Sequence, residues 1–243
     1  MWRRTADQFG RTARTYAQQE LGRYLSDLVL ELAEPSLGDR YLDVGTGPGT
    51  LPRLLGPIVD LTVGTDVTRE MLRLFVEALP EALAIQADAV RLPFADGSFT
   101  LVTNGSVLHH VEDPMEALRE AARVLRPGGR FLLIDMAGPE EPAGRAVRDE
   151  VERIRDPSHV RILAPSQIQA MLEDAGFRLH RTERQADEKW DEDWVRLAGA
   201  DLAAVRDALA RHQSVNAGFV ALWREADGFR FRRERGYYLA VKM

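Results

Sequence analysis

A chain of 243 residues that is 45% apolar and 29% charged has the size and composition of one globular domain with elaborations, which excludes a disordered or fibrous protein. The absence of cysteine excludes disulfides, thiolate zinc sites and cysteine nucleophiles, and the five histidines are scattered without metal-ligand spacing, so no metal is expected. A net charge of −6 argues against nucleic acid as a general partner, since that needs clustered Lys and Arg against the phosphates.

No apolar run approaches the about 20 residues needed to cross a bilayer, and the opening MWRRTADQFGRTARTY is charged without an apolar signal core. A cytoplasmic protein without a membrane partner is expected. Leu21, Tyr24, Leu25, Leu28, Val29 and Leu32 then recur at three- and four-residue spacing until Pro35, predicting one amphipathic helix within an N-terminal helical unit, residues 1–35. Strand and helix alternate next: strands over 40–44, 61–65, 83–86, 99–103 and 130–135, helices over 51–55, 68–79 and 114–125. Near-continuous apolar strands separated by helices predict an α/β fold of three layers, a parallel sheet covered on both faces.

Beyond residue 136 the rhythm changes. A polar helix is predicted over 138–156, a second over 165–174 ended by Gly176, and a sixth strand over 177–181. Leu197, Leu202, Val205 and Leu209 keep helical spacing, so 186–225 reads as a helical insertion, and 229–233 and 237–241 close the chain as strand-like runs. The cofactor-binding domain is thus expected over 36–185 and 226–243.

The turn Asp43-Val-Gly-Thr-Gly-Pro-Gly49 joins a predicted strand to a predicted helix, where glycine lets backbone approach a ligand. Asp66 stands about 20 residues beyond the first glycine, at a strand end, where a carboxylate can accept from both hydroxyls of a ribose. Asp43 would disfavour a pyrophosphate but can help hold an ammonium group, directly or through water, and Asp88 can accept from an exocyclic adenine amino group. Three acids around one nucleoside suit a cationic sulfonium better than an anionic dinucleotide.

The ordered segments YLDVGTGPGTL, VGTDVTREML, IQADAVRLPFADGSFTLV, SVLHHVEDP and ARVLRPGGRFLLIDM resemble the class I methyltransferases similar to the ubiquinone/menaquinone-biosynthesis C-methyltransferases. The likeness covers roughly residues 36 to 137 and continues more weakly to 185; RDPSHVRILAPSQIQAMLEDAGF further resembles a bacterial subgroup of such enzymes. The resemblance implies a Rossmann-like sandwich with a seven-stranded, mostly parallel sheet, its last strand antiparallel. It also implies S-adenosylmethionine as cofactor and S-adenosylhomocysteine as product. Carried over by position, Gly45, Thr46, Gly47 and Gly49 would line the methionine moiety and Asp66 would bind the ribose, with Val67 and Met71 near the adenine. Asp88 and Ala89 would contact adenine, Asn104 and Gly105 would flank the sulfonium, and Tyr16 would be the lid aromatic of the Phe9 to Tyr16 stretch.

Methyl transfer from a sulfonium is an in-line displacement with a good leaving group, so alignment and exclusion of water can supply much of the acceleration. A base is needed only where the acceptor loses a proton. His109 and His110, after the fourth strand, and His159, in Asp156-Pro-Ser-His, are the candidates. The plainer alternatives are packing of the short helix around 106–111 and a surface turn held by Asp156 and Ser158. Trp190, Trp194, Phe219 and Trp223 suit three uses: a roof on an apolar pocket for a small-molecule acceptor, a core of the insertion's own, or a homodimer contact. A catalytically inactive cofactor-binding scaffold is one alternative. An NAD-dependent oxidoreductase is another, disfavoured by Asp43 and by the lack of a convincing Tyr-x-x-x-Lys pair.

Overall fold

The computed structural model of the chain describes residues 3–19 and 24–243. Helices α1 (Arg3–Gln19) and α2 (Ser26–Ala33) precede an alternation of β1 (Arg40–Val44), α3 (Thr50–Leu55), β2 (Leu61–Asp66), α4 (Arg69–Ala78) and β3 (Leu83–Gln86). There follow β4 (Phe99–Gly105), α5 (Pro114–Val124), β5 (Leu125–Ala137), α6 (Pro142–Arg155), α7 (Pro165–Asp174) and β6 (Phe177–Trp190). The chain closes with α8 (Asp191–Ala198), α9 (Leu202–Arg211), β7 (Ala221–Glu225) and β8 (Gly228–Lys242). The start of the amphipathic pattern, Leu21, lies outside the described residues.

The strands pair in the order β3-β2-β1-β4-β5-β8-β6. The pairs among β1 to β5 are parallel, while β8 runs antiparallel to both β5 and β6. This is the seven-stranded Rossmann-like sheet that was expected, with the short β7 added on β8. Its apolar runs have a direct cause. Phe131 and Leu133 pack with α5 and α7 on one face, while Leu132 and Ile134 pack with α2 and α3 on the other. Because strand side chains alternate, a sheet covered twice must be apolar at every position. Arg130 ties the layers together: its guanidinium forks onto Asp39 at 2.6 Å from both carboxylate oxygens and also donates to the Ala33 carbonyl that ends α2.

The C-terminal part departs from expectation. The insertion is helical only from 191: residues 186–190 continue β6, and residues 221–225 form β7. β6 and β8 pair over their whole lengths, whereas β5 pairs only with the half of β8 from Glu234 onward. The ribbon therefore projects past the C-terminal end of β5. Its outer half is held by cross-strand ion pairs such as Arg232–Glu188 at 2.7 Å, so it shows no apolar alternation. On one face of the projecting end, Phe231 joins Trp194, Val205, Leu209 and Phe219 in a separate apolar cluster. The insertion thus packs into a second core that it shares with Val151 of α6 and with Phe229 and Phe231 of β8. Trp194 belongs to it, Trp223 lies half-buried with the Arg230 guanidinium 5.1 Å from its ring, and Trp190 is exposed.

Among the described residues no helix is long and apolar enough to cross a membrane.

Candidate active site

A cavity of about 730 Å³ opens where β1, β2, β4 and β5 end, bounded by Asp43, Asp66, Gly105 and Met136 at those four ends. Open parallel sheets collect ligands at this edge, where strand ends and helix starts present backbone groups. The glycine turn forms its floor. Gly45 has φ 71°, and a Cβ there would stand 2.3 Å from Val107, so both backbone and space require glycine. Gly47 has φ 53° and open space where a Cβ would go, leaving its backbone bare toward the cavity.

The predicted acids gather at this end. Asp66 accepts from the backbone N–H of Gly47 at 2.9 Å on one oxygen and of Thr68 at 2.8 Å on the other. Each bond uses one lone pair, so the carboxylate is aimed while it keeps acceptor capacity for a diol. Asp43 is buried, and burial pushes its carboxyl up to about 7 against the opposing 2.5 Å bond donated by Thr103. Asp88 lies on the wall with Ala89, Val67 and Met71.

Two residues predicted for this wall are elsewhere. Gly49 caps α3 and sits under the Phe75 ring, 2.7 Å from where its Cβ would stand. Asn104 is buried in β4, one residue short of the cavity, which Gly105 reaches instead.

The three candidate histidines converge beyond the β4 and β5 ends. The rings of His109 and His110 are 4.1 Å apart and those of His109 and His159 5.8 Å, yet each ring is tied to a different partner. His109 Nδ1 meets Asp135 Oδ1 at 2.5 Å. Asp135, at the end of β5, also accepts from the backbone N–H of Leu108 at 2.8 Å and of Met136 at 2.6 Å. Burial would raise the Asp135 carboxyl, but His109 and these amides hold it below the usual carboxylate range. An ionised carboxylate can only accept, so Nδ1 carries the proton that faces Asp135. Among the described residues Nε2 has no hydrogen-bond partner, and His109 lines the cavity.

His110 lies 3.2 Å from the Ser158 carbonyl through Nδ1, and burial together with the adjacent His109 pushes it down to about 3, so it stays neutral. His159 is buried and spends Nε2 on Asp149 at 2.8 Å, which anchors its loop to α6. That loop is a turn held by Asp156 and Ser158, as the plainer alternative had it, but it is buried on the cavity wall instead of exposed.

Helix α1 covers the cavity from above. Tyr16 is buried against Met71, its ring 5.2 Å from Phe9, and its phenol hydrogen-bonds the Arg155 guanidinium. Phe9 in turn stands edge-on to His110 at 5.1 Å. Trp194 and Leu197 of α8 complete the roof.

Sequence reasoning missed Asp135 and Arg155 and the polar wall of Gln185, Asp187, Lys189, Arg233 and Arg235. A signal existed for Asp135, a lone carboxylate ending an apolar strand at the ligand edge. None existed for the wall, whose residues meet only through β6–β8 pairing.

The comparisons agree with this geometry. A methyltransferase domain model matches residues 42–133. The chain is 33% identical over 203 residues to the uncharacterized methyltransferase YcgJ of Bacillus subtilis (strain 168), covering 79% of this chain and 78% of that one. The crystal structure of YcgJ superposes with a TM-score of 0.83 at 27% identity, over 89% of this chain and 97% of the other. The 27-O-demethylrifamycin SV methyltransferase of Amycolatopsis mediterranei (strain S699) is 32% identical over 168 residues, 65% of this chain and 61% of its own. The ubiquinone/menaquinone biosynthesis C-methyltransferase UbiE of Ectopseudomonas mendocina (strain ymp) is 31% identical over 184 residues, 65% of this chain and 72% of its own. The acids, the bare glycine turn and the cavity volume suit a cationic nucleoside, which sets aside the dinucleotide reading. By fold, site and relatives, the chain belongs to the S-adenosylmethionine-dependent methyltransferases.

Proposed function

We propose that this enzyme methylates a small molecule at an oxygen that must lose its proton, with His109 as the base. The observation that carries the reading is the His109–Asp135 pair, buried on the cavity wall with Nε2 of that ring left without a partner among the described residues. The bound sulfonium supplies an electrophilic methyl group. His109 Nε2 takes the acceptor's hydroxyl proton as oxygen attacks, and Asp135 stabilises the imidazolium that results. Tyr16, Phe9 and Trp194 exclude water and limit the acceptor to what the enclosed volume admits, which favours a metabolite over a macromolecule. A relative whose name denotes an O-demethylated acceptor supports oxygen, although another relative is a C-methyltransferase.

Asp66 is assigned to the ribose, Asp43 to the ammonium group, and Asp88, Ala89, Val67 and Met71 to the adenine end. Calorimetry should show micromolar binding of S-adenosylhomocysteine and no comparable binding of NAD. Metabolite extracts incubated with 13C-methyl-labelled cofactor should then yield a product whose label resonates as a methoxy carbon. A label on carbon or nitrogen overturns the oxygen assignment; cofactor binding without any labelled product returns the chain to the binding-only reading.

Asp43 gives the binding a pH dependence. Its carboxyl, raised to about 7, binds a proton more tightly folded than unfolded, so its ionisation lowers folding stability as pH rises from the ordinary range of about 4 toward 7. The ligand's ammonium favours the ionised form. Affinity for S-adenosylhomocysteine is therefore expected to rise with pH up to about 7, by at most about tenfold per unit, and then to level off. In Asp43→Asn the slope should vanish; a slope that persists removes Asp43 from the ammonium site.

A further inference from the structure

The cavity is electrically divided. Asp43, Asp66 and Asp88 stand at the β1 to β3 end, whereas the opposite wall is one face of the β6–β8 ribbon. In the antiparallel register Asp187 faces Arg233 and Gln185 faces Arg235, and the two-residue period puts Lys189 on the same side. Asp187 is gripped side-on by Arg233 at 3.0 and 3.1 Å, through Nε and Nη2, and approached by Lys189 at 3.4 Å. One carboxylate thus answers the charges of Arg233, Arg235 and Lys189. Arg233 Nη1 and the remaining Lys189 protons have no acceptor among the described residues. Nearby charges cancel: Arg148 and Arg155 against Glu152 and Asp156, and Arg196 against Asp193 at 2.6 Å. The positive excess on the ribbon is therefore left to solvent or to an anion in the cavity, where Lys189 and Arg233 stand only partly exposed.

We propose that the acceptor carries an anionic group, a carboxylate or a phosphate, which seats on Arg233 and Lys189 of the β6–β8 ribbon. The site rests on the methyl-transfer reading above and specifies its substrate class. The division also sorts the two ligands. The acidic end attracts the cationic cofactor and repels an anionic acceptor, and the basic wall does the reverse.

The test uses the full chain saturated with S-adenosylhomocysteine and two matched probe pairs: 4-hydroxybenzoate against 4-hydroxybenzamide, and phenyl phosphate against phenol. Calorimetry should show the anion of at least one pair binding about tenfold or more tighter than its neutral partner, and the pair that discriminates tells carboxylate from phosphate. Arg233→Gln and Lys189→Gln should each reduce that preference, while Asp187→Asn should widen it. Asp187 is partly exposed, so the last change tests the charge without emptying a core. Retained S-adenosylhomocysteine affinity and an unchanged melting temperature show that each variant is folded. The proposal is overturned if the wild type shows no anion preference in either pair, whether both members bind alike or neither binds up to about 10 mM. A preference unmoved by all three substitutions overturns it as well. Failure of the wild type to bind S-adenosylhomocysteine would instead overturn the methyl-transfer reading itself.

Discussion

An Asp66→Ala variant should bind S-adenosylhomocysteine about 1–3 kcal/mol more weakly than the wild type, the cost of leaving buried hydrogen-bonding groups without partners. Two losses contribute. The ribose hydroxyls lose their acceptor, and the Gly47 N–H, now held at 2.9 Å, loses the carboxylate that fixes the glycine turn. Asp66→Asn separates them, because the amide keeps the shape and one acceptor oxygen but must set an NH2 against either the Gly47 or the Thr68 N–H. Calorimetry on both variants, with thermal melts to verify folding, measures the effect. Unchanged affinity in Asp66→Ala would remove the residue from the site.

His109→Ala should lower the single-turnover rate of methyl transfer by about 10²–10⁴-fold, the usual contribution of a positioned base, and leave cofactor affinity unchanged. Asp135→Asn should approach the same loss by another route. The Leu108 N–H takes one Asp135 oxygen while the Met136 N–H and His109 Nδ1 share the other. An amide therefore sets its NH2 against a backbone N–H in either orientation and loses the charge that stabilises the imidazolium. With its oxygen on Leu108, the NH2 faces His109. Nδ1 must then accept, the proton moves to Nε2, and the base is gone. His110→Ala is the comparator: its Nδ1 lies on Ser158 with no carboxylate hydrogen-bonded to the ring, so a smaller loss is expected. Equal losses at 109 and 110 would favour a shared structural role for the pair. An active Asp135→Asn would eliminate the dyad.

Both variants probe residues that were legible to different degrees. His109 stands out in SVLHHVEDP because two histidines follow an apolar strand, but nothing local separates it from His110. Asp135, 26 residues further on, does so by claiming Nδ1 of one ring only. Likewise Gly49 and Asn104 match the family motif by position, yet Gly49 is covered by Phe75 and Asn104 is buried inside the sheet, because motif spacing carries no information about which side of the wall a residue takes.

The amino-acid sequence alone determined the parallel sheet, the bare glycine turn and the acid at the end of β2, and with them the cofactor class. Each is written in neighbours along the chain: apolar runs that must be buried on two faces, glycines where φ is positive, and a carboxylate at a strand end. The proposed acceptor half rests on tertiary structure. The His109–Asp135 pair and the basic wall of Lys189 and Arg233 bring together residues from separate strands and loops. The β6–β8 ribbon that carries this wall is held by ion pairs across strands about 45 residues apart, and such pairing leaves no periodic apolar pattern to read.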